Sequence, residues 1–234
     1  MCHPHTFDRY DADRFLGERF LVRHCGARLG NSDVRVCAAM RDGQVWRAYT
    51  MGGDTCIGVL YNRANACITP LLGSHPLPQY QLLEAVDAWE GCNSLSVFSL
   101  YEKSCGAVVY TEVGGQRLYL VIRMNLGHCG LPKGHMEKFE SESDTARREI
   151  AEETGVSVTL DERFRQVVSY WLTGKVYKES IYFLGRFDGG AITIQPSEIR
   201  AYRLCPYEEA RGLITHDNDR AVLDAAERWL NGQT

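Results

Sequence analysis

The sequence predicts an α+β fold in two parts: a small α+β module over residues 1–100 and a larger domain over 103–234. Three observations carry this. Hydrophobic residues make up 44% of the 234 and charged residues 24%, enough to build a core rather than a disordered chain. Strand-like runs fill the middle of the second half, with helical patterns at two places, which suggests a sheet sandwiched between helices. Lysine usage also changes at the junction. Residues 1–102 hold nine arginines and no lysine, and Lys103, Lys133, Lys138, Lys175 and Lys178 all follow. The joint is expected near residues 92–103.

In the first module, "VRVCAAMRDGQVWRAYT" has two β-rich arms around Asp42-Gly43, a hairpin signal. "TCIGVLYNRANACITPLL" reads as a second hairpin turning near Asn62–Asn65. In "LPQYQLLEAVDAWEG", Leu82, Val86 and Trp89 share one helical face and Gly91 supplies a stop. In the second part, "SCGAVVYTEVGGQRLYLVIRM" is a hairpin about Gly114-Gly115, followed by the loop "NLGHCGLPKGHMEKFE". A helix is expected from about Glu142 to Thr154. Ser141 stands three residues before Asp144, a capping-box spacing, and Gly155 can take the positive φ of a helix stop. "RQVVSYWL" and "ESIYFLGRF" read as paired strands with Gly174 in the turn, and "AITIQ" and "AYRLC" as shorter strands. "DNDRAVLDAAERWLNG" closes the chain as a helix burying Val222, Ala226, Trp229 and Leu230.

The bulk numbers exclude several classes. A net charge of −4 gives no general attraction to nucleic acid or membranes. No apolar run reaches transmembrane length, and "MCHPHTFDRYDADRF" lacks the pattern of a signal peptide. The nine cysteines are odd in number and include no C-x-x-C, so reduced thiols and a cytoplasmic location are expected. Cys2, His3, His5, His24 and Cys25 have the residue types of a zinc site, but their spacing fits no common one.

"RREIAEETGV" carries the chemistry. On a helix at 100° per residue, Glu152 lies 60° to one side of Glu149 and Glu153 lies 40° to the other. Three carboxylates thus share one arc beside the apolar face of Ala146, Ile150 and Thr154, with Arg147 and Arg148 as the nearby offsetting charges. Such crowding is destabilising alone. A surface acidic face is the ordinary reading of a Glu-Glu run. Here a lysine-bearing glycine loop precedes it, and hard oxygen ligands suit Mg²⁺ or Mn²⁺, which also bind phosphates.

"GHMEKFESESDTARREIAEETGV", residues 134–156, resembles the Nudix box. Gly134, Glu140, Arg148, Glu149, Ile150, Glu152, Glu153, Gly155 and Val156 fill the fixed or restricted positions. The resemblance implies a Nudix fold over 103–234 and a hydrolase of nucleoside diphosphates linked to another group. It implies that Glu149, Glu153 and the Gly134 carbonyl bind metal, with Glu152 a further ligand or a water-orienting carboxylate. Arg148 then orients the glutamates and Glu140 braces them.

The flanks resemble the asymmetrical dinucleoside tetraphosphatase branch: "SCGAVVY", "GH-x-G-x-PKGH", "VSYW", "K-x-x-x-YF" and "AYRL". That branch implies Lys133 and Lys178 on phosphates, His135 in the same signature, and Tyr170 or Trp171 stacking on adenine. Strand alternation puts Tyr170 and Trp171 on opposite faces, so one of them at most is a clean stacker. Glu198 is either a base recruited from outside the box or a surface glutamate, and Lys175 is left open. Cys129 stands where the branch carries an aromatic, a departure that bears on base recognition. The implied reaction is Mg²⁺- or Mn²⁺-dependent hydrolysis of diadenosine tetraphosphate to ATP and AMP. The alternatives are another Nudix activity, on an RNA 5′ end, ADP-ribose or an oxidised nucleotide, and a non-catalytic nucleotide-sensing module. The expected partner is a nucleotide, not a membrane or bulk nucleic acid, and the N-terminal module is a candidate for pairing between copies.

Overall fold

The computed structural model describes residues 18–21, 35–36, 46–49, 55–62, 67–87, 95–172 and 176–232. Two compact units emerge, Met1–Glu102 with Tyr170–Lys178, and Lys103–Ser169 with Glu179–Thr234. Asp42-Gly43, Trp89, Gly91, Gly174, Lys175 and the N-terminal His and Cys residues lie outside the described residues.

The first unit holds a six-stranded sheet of β1 (Glu18–Leu21), β2 (Arg35–Val36), β3 (Trp46–Tyr49), β4 (Thr55–Asn62), β5 (Cys67–Gly73) and β6 (Leu95–Ser99), with helix α1 (Gln79–Asp87). The β4–β5 hairpin forms as expected, with Asn62 opposite Cys67. The turn of the hairpin expected about Asp42-Gly43 lies outside the described residues; of the described strands on either side, β2 pairs with β5, and β3 runs parallel to β1 and touches β4. Leu82 of α1 is fully buried.

The second sheet has the order β11–β12–β7–β8–β13: β7 (Tyr101–Val113), β8 (Gln116–Met124), β11 (Thr159–Leu172), β12 (Val176–Arg186) and β13 (Ile199–Cys205). Two short strands lie alongside, β9 (Cys129–Gly130) on β8 and β10 (Lys133–His135) on β7. Gly114 and Gly115 both take positive φ, 57° and 80°, the tight turn that matches strand twist. Three helices follow: α2 (Glu142–Thr154), α3 (Tyr207–Leu213) and α4 (Asp217–Asn231).

Strand alternation divides the core. Val108, Tyr119, Val121, Tyr182 and Leu184 face one way and pack with Val222, Leu223 and Ala226 of α4. Cys105, Ala107, Val109, Leu120, Ile181 and Phe183 face the other and pack with Ala146 and Ile150 of α2. The sheet therefore lies between helices, as the sequence predicts. Burying Ile150 alone is worth about 1.5–3 kcal/mol. "AITIQ" forms no strand. The Thr193 and Gln195 amides instead donate to the carbonyls of Thr154 and Glu153, which α2 leaves without intrahelical partners. The sequence reading also missed α3, whose signals were Pro206 at its cap and Glu208 and Glu209 in its first turn.

Candidate active site

Helix α2 is fixed at both ends by its own sequence. The Ser141 hydroxyl accepts from the Asp144 amide at 3.1 Å, and the Ser141 amide donates back to Asp144 Oδ2 at 3.3 Å. Gly155 ends the helix at φ 68°. Glu142 in the first turn pairs with Lys103 at 2.6 Å and with Arg165 at 2.7 Å, which hold its carboxyl down at about 2. This brace ties α2 to the sheet.

Strand β10 faces the helix because two side chains are missing. Lys133 stands opposite Gly106, Gly134 opposite Cys105, and His135 opposite Ser104. A side chain at 106 would overlap the Pro132 carbonyl and Lys133. One at 134 would fall on the Glu149 carboxylate. Here glycine is required by close approach.

The four box glutamates do not share one environment. Glu140 accepts from Arg148 Nε at 2.5 Å and Nη2 at 3.0 Å, from the Thr145 hydroxyl and from the Glu137 amide. The Arg148 bonds come first in holding it at about 2. Arg148 Nη1 also donates to Glu149 at 2.8 Å and Glu152 at 3.1 Å, and Nη2 donates to the His135 carbonyl at 2.9 Å. Arg148 thus links β10 to three carboxylates. Arg147, expected to share that work, turns away to Glu162 and Asp144.

Glu152 is the outer member, its side chain 53% exposed. Glu149 is largely buried, and that burial pushes its carboxyl up although Arg148 opposes it. Glu153 is the inner member at 2% exposure, and accepts the Lys133 amide at 3.1 Å. Burial pushes its carboxyl up to about 8. Lys133 opposes this, and the charges of Glu149 and Glu198 add to it. Glu198 lies in an exposed turn, and its charge reaches Glu153.

These features suit a hard divalent cation. The donors are oxygens, two carboxylates meet β10 where Gly134 leaves room, and the buried Glu153 lacks a full positive partner. Among the described residues, no three acidic, histidine or cysteine side chains converge on one point. Glu149 and Glu153 are the carboxylates that meet β10 beside Gly134.

The Lys133 side chain makes no ion pair among the described residues, and its charge reaches both Glu153 and His128. His128 has its ring 5.7 Å from that of His216, a pairing that 88 residues of separation hide from the sequence. Cys129 is held by paired bonds to Thr215, its amide donating to the hydroxyl at 2.8 Å and its carbonyl accepting the amide at 2.9 Å. Tyr170 and Lys178 belong to the other compact unit. Lys178 is mostly buried and pairs with Glu102 at 3.3 Å. Tyr170 is half-buried, while Trp171 is exposed and meets Tyr177 edge-on.

Comparison with known proteins agrees with this geometry. The family model for the NUDIX domain matches residues 101–226. The asymmetrical bis(5′-nucleosyl)-tetraphosphatase of Sus scrofa is 30% identical over 140 residues, 55% of this chain and 95% of that protein. The MutT4 protein of Mycobacterium tuberculosis is 26% identical over 142 residues, and the chain spans 57% of its length. A crystal structure of a C. elegans Ap4A hydrolase binary complex superposes with a TM-score of 0.53 at 24% identity, over 56% of this chain and 98% of that one. Nudix hydrolases use divalent cations to break pyrophosphate bonds in nucleoside polyphosphates, and no described helix here is long and apolar enough to cross a membrane. With its box residues gathered around α2 and β10, the chain belongs to the NUDIX domain family and is a pyrophosphohydrolase of that family.

Proposed function

We propose that the chain hydrolyses diadenosine tetraphosphate to ATP and AMP, with Mg²⁺ or Mn²⁺ as its cation. The observation that carries the reading is the meeting of Lys133 with the acidic end of α2. The Lys133 amide donates to the Glu153 carboxylate at 3.1 Å, and its side chain, which makes no ion pair among the described residues, leaves β10 on the other face, in the loop that resembles the tetraphosphatase branch. The similarity to tetraphosphatases supports the same substrate.

In this reading Lys133 binds a phosphate beside the carboxylates. Glu149 and Glu153, with Gly134, hold the divalent ion, which supplies Lewis-acid stabilisation of phosphoryl charge when bound. Arg148 fixes Glu149 and Glu152 in place, and Glu140 fixes Arg148. A carboxylate, Glu152 or Glu198, takes the proton of the attacking water. The water's oxygen bonds to phosphorus in line with the departing nucleotide oxygen, which leaves with the electron pair of the broken P–O bond. His135 extends the phosphate contacts. Residues 103–234 are the hydrolase domain and 1–100 a separate module. The reduced thiols of Cys105, Cys129 and Cys205 accord with a cytoplasmic location.

The test is a substrate panel. Protein with Mg²⁺ is offered diadenosine tetraphosphate, ADP-ribose, an oxidised deoxynucleoside triphosphate and 5′-triphosphate RNA, and the products are separated. ATP and AMP in equal amounts from the first are expected at the highest kcat/KM. Cleavage of the RNA alone would overturn the assignment.

A further inference from the structure

The turn that carries Glu198 is held by one residue from outside it. Met124 ends β8 and stands opposite Ile199, the first residue of β13. Asn125 comes one step beyond that pair, and its amide donates to the Glu198 carbonyl at 2.9 Å. The Asn125 side chain adds two more bonds. Its Nδ2 donates to the Ser197 carbonyl at 2.8 Å and to the Pro196 carbonyl at 3.1 Å. Three successive carbonyls thus accept from a single residue. A carboxamide suits this work, because one uncharged nitrogen carries two hydrogens.

The other side of the turn is tied to the box helix. The Gln195 amide donates to the Glu153 carbonyl at 3.0 Å. The Glu198 and Ile199 amides donate back to the Gln195 carbonyl at 3.2 and 2.9 Å. Glu198 is therefore held between the end of β8 and the end of α2, with its charge reaching Glu153. Asn125, Pro196, Ser197 and Glu198 are all exposed. Exposed groups bond to water when a partner is lost, so the clamp adds little to folding stability. What it fixes is a position. The Glu198 carboxylate makes no hydrogen bond or ion pair among the described residues. Glu152, by contrast, already accepts from Arg148 at 3.1 Å.

We propose that Asn125 is a positioning residue for the hydrolysis, holding the Glu198 carboxylate where it takes the proton of the attacking water. The proposal rests on the polyphosphate reading above, and it assigns to Glu198 the proton that reading divides between Glu152 and Glu198. One O–H bond of the water breaks, and its proton passes to a Glu198 oxygen. The electron pair left on the water oxygen forms the new bond to phosphorus, and the departing nucleotide oxygen keeps the pair of the broken P–O bond. Asn125 touches neither water nor substrate in this scheme. It acts only through the turn.

The test uses the full chain with Asn125→Ala, Asn125→Asp, Glu198→Gln and the double variant Asn125→Ala with Glu198→Gln. Asn125→Asp keeps the shape and replaces both donated hydrogens by an acceptor. Each is assayed with Mg²⁺ and diadenosine tetraphosphate. Glu198→Gln is expected to lower kcat by about 10²-fold or more. Each Asn125 variant lowers kcat by roughly 5- to 30-fold while KM stays within about twofold. In the Glu198→Gln background, Asn125→Ala costs less than about twofold, because no carboxylate is left to position. Amide hydrogen exchange at Glu198 and Ile199 quickens about three- to tenfold in Asn125→Ala. Melting temperatures stay within about 2 °C of the unaltered chain. Unchanged kcat or unchanged exchange in the Asn125 variants overturns the proposal. So does an equal loss of kcat with and without the Glu198 carboxylate, or a KM that rises as far as kcat falls. If Glu198→Gln turns over like the unaltered chain, the proton goes elsewhere and the proposal falls while the hydrolysis reading stands. If the unaltered chain cleaves none of the substrate panel, both fall together.

Discussion

Helices α2 and α4 pack on opposite faces of one sheet and both carry acidic residues, yet they treat them differently. On α4, Glu227 accepts from the Tyr119 hydroxyl, from Asn231 at 3.1 Å and from Arg117 at 3.2 Å. Burial works against its ionised form, but those bonds leave its carboxyl below the ordinary range. Asp224 is likewise matched by Tyr207 and Arg211 at 2.8 Å each. On α2, the most buried acid, Glu153, has one amide donor, and burial drives its carboxyl up to about 8. A matched acid is architecture. Glu153 has no such match, which suits it to the divalent ion of the proposed reaction.

The sharpest way to break the comparison is Glu153→Gln set against Glu227→Gln. Glu153→Gln is expected to lower kcat by on the order of 10²–10³-fold. The metal-free protein's melting temperature should hold or rise, because an unmatched buried carboxylate is removed. Turnover near that of the unaltered chain would falsify the assignment of Glu153. Next in size, Arg148→Ala should cut kcat by about 10- to 100-fold by releasing Glu149 and Glu152 from their fixed positions. Glu227→Gln should leave steady-state turnover intact while lowering unfolding free energy by about 1–3 kcal/mol in denaturant titrations.

Two smaller effects sharpen it further. Glu140 is held at about 2, below its ordinary 4.5. Its stabilising pairing is therefore complete above about pH 4.5 and lost as pH falls towards 2. Melting curves from pH 6 to 3 should show this loss in the unaltered chain, and Arg148→Ala should flatten it. Arg147→Ala removes only exposed pairs, costs at most about 1 kcal/mol, and leaves kcat within twofold. A larger loss of turnover would mean that the two adjacent arginines are not divided as the structure has them.

That division shows where sequence reading stops. The limits of α2 were legible, because Ser141, Asp144 and Gly155 act within a few residues of one another. The arc of glutamates was legible too, since helical geometry fixes it. What the arc could not show is that Glu153 is buried and Glu152 exposed, which depends on β10 crossing above. Nor could it show that Arg147 turns to Glu162, fifteen residues away on another element. "AITIQ" has the alternation of a strand, but its amides serve the carbonyls at the end of α2. The pairing of His128 with His216 rests on two loops that meet only in the folded chain.

Consecutive residues Lys133 and Gly134 look to opposite sides of the sheet, one supplying a side chain and the other withholding one. Reading frame along the strand is thus part of the catalyst. Inserting a single residue between 130 and 133 would exchange the two sides. The ammonium would swing into the carboxylates and seal them as a salt bridge, while the gap opened onto the phosphate side. Every residue of the box would be unchanged, yet the enzyme would be silent. A family motif written as spacings records, in this loop, which way each residue faces.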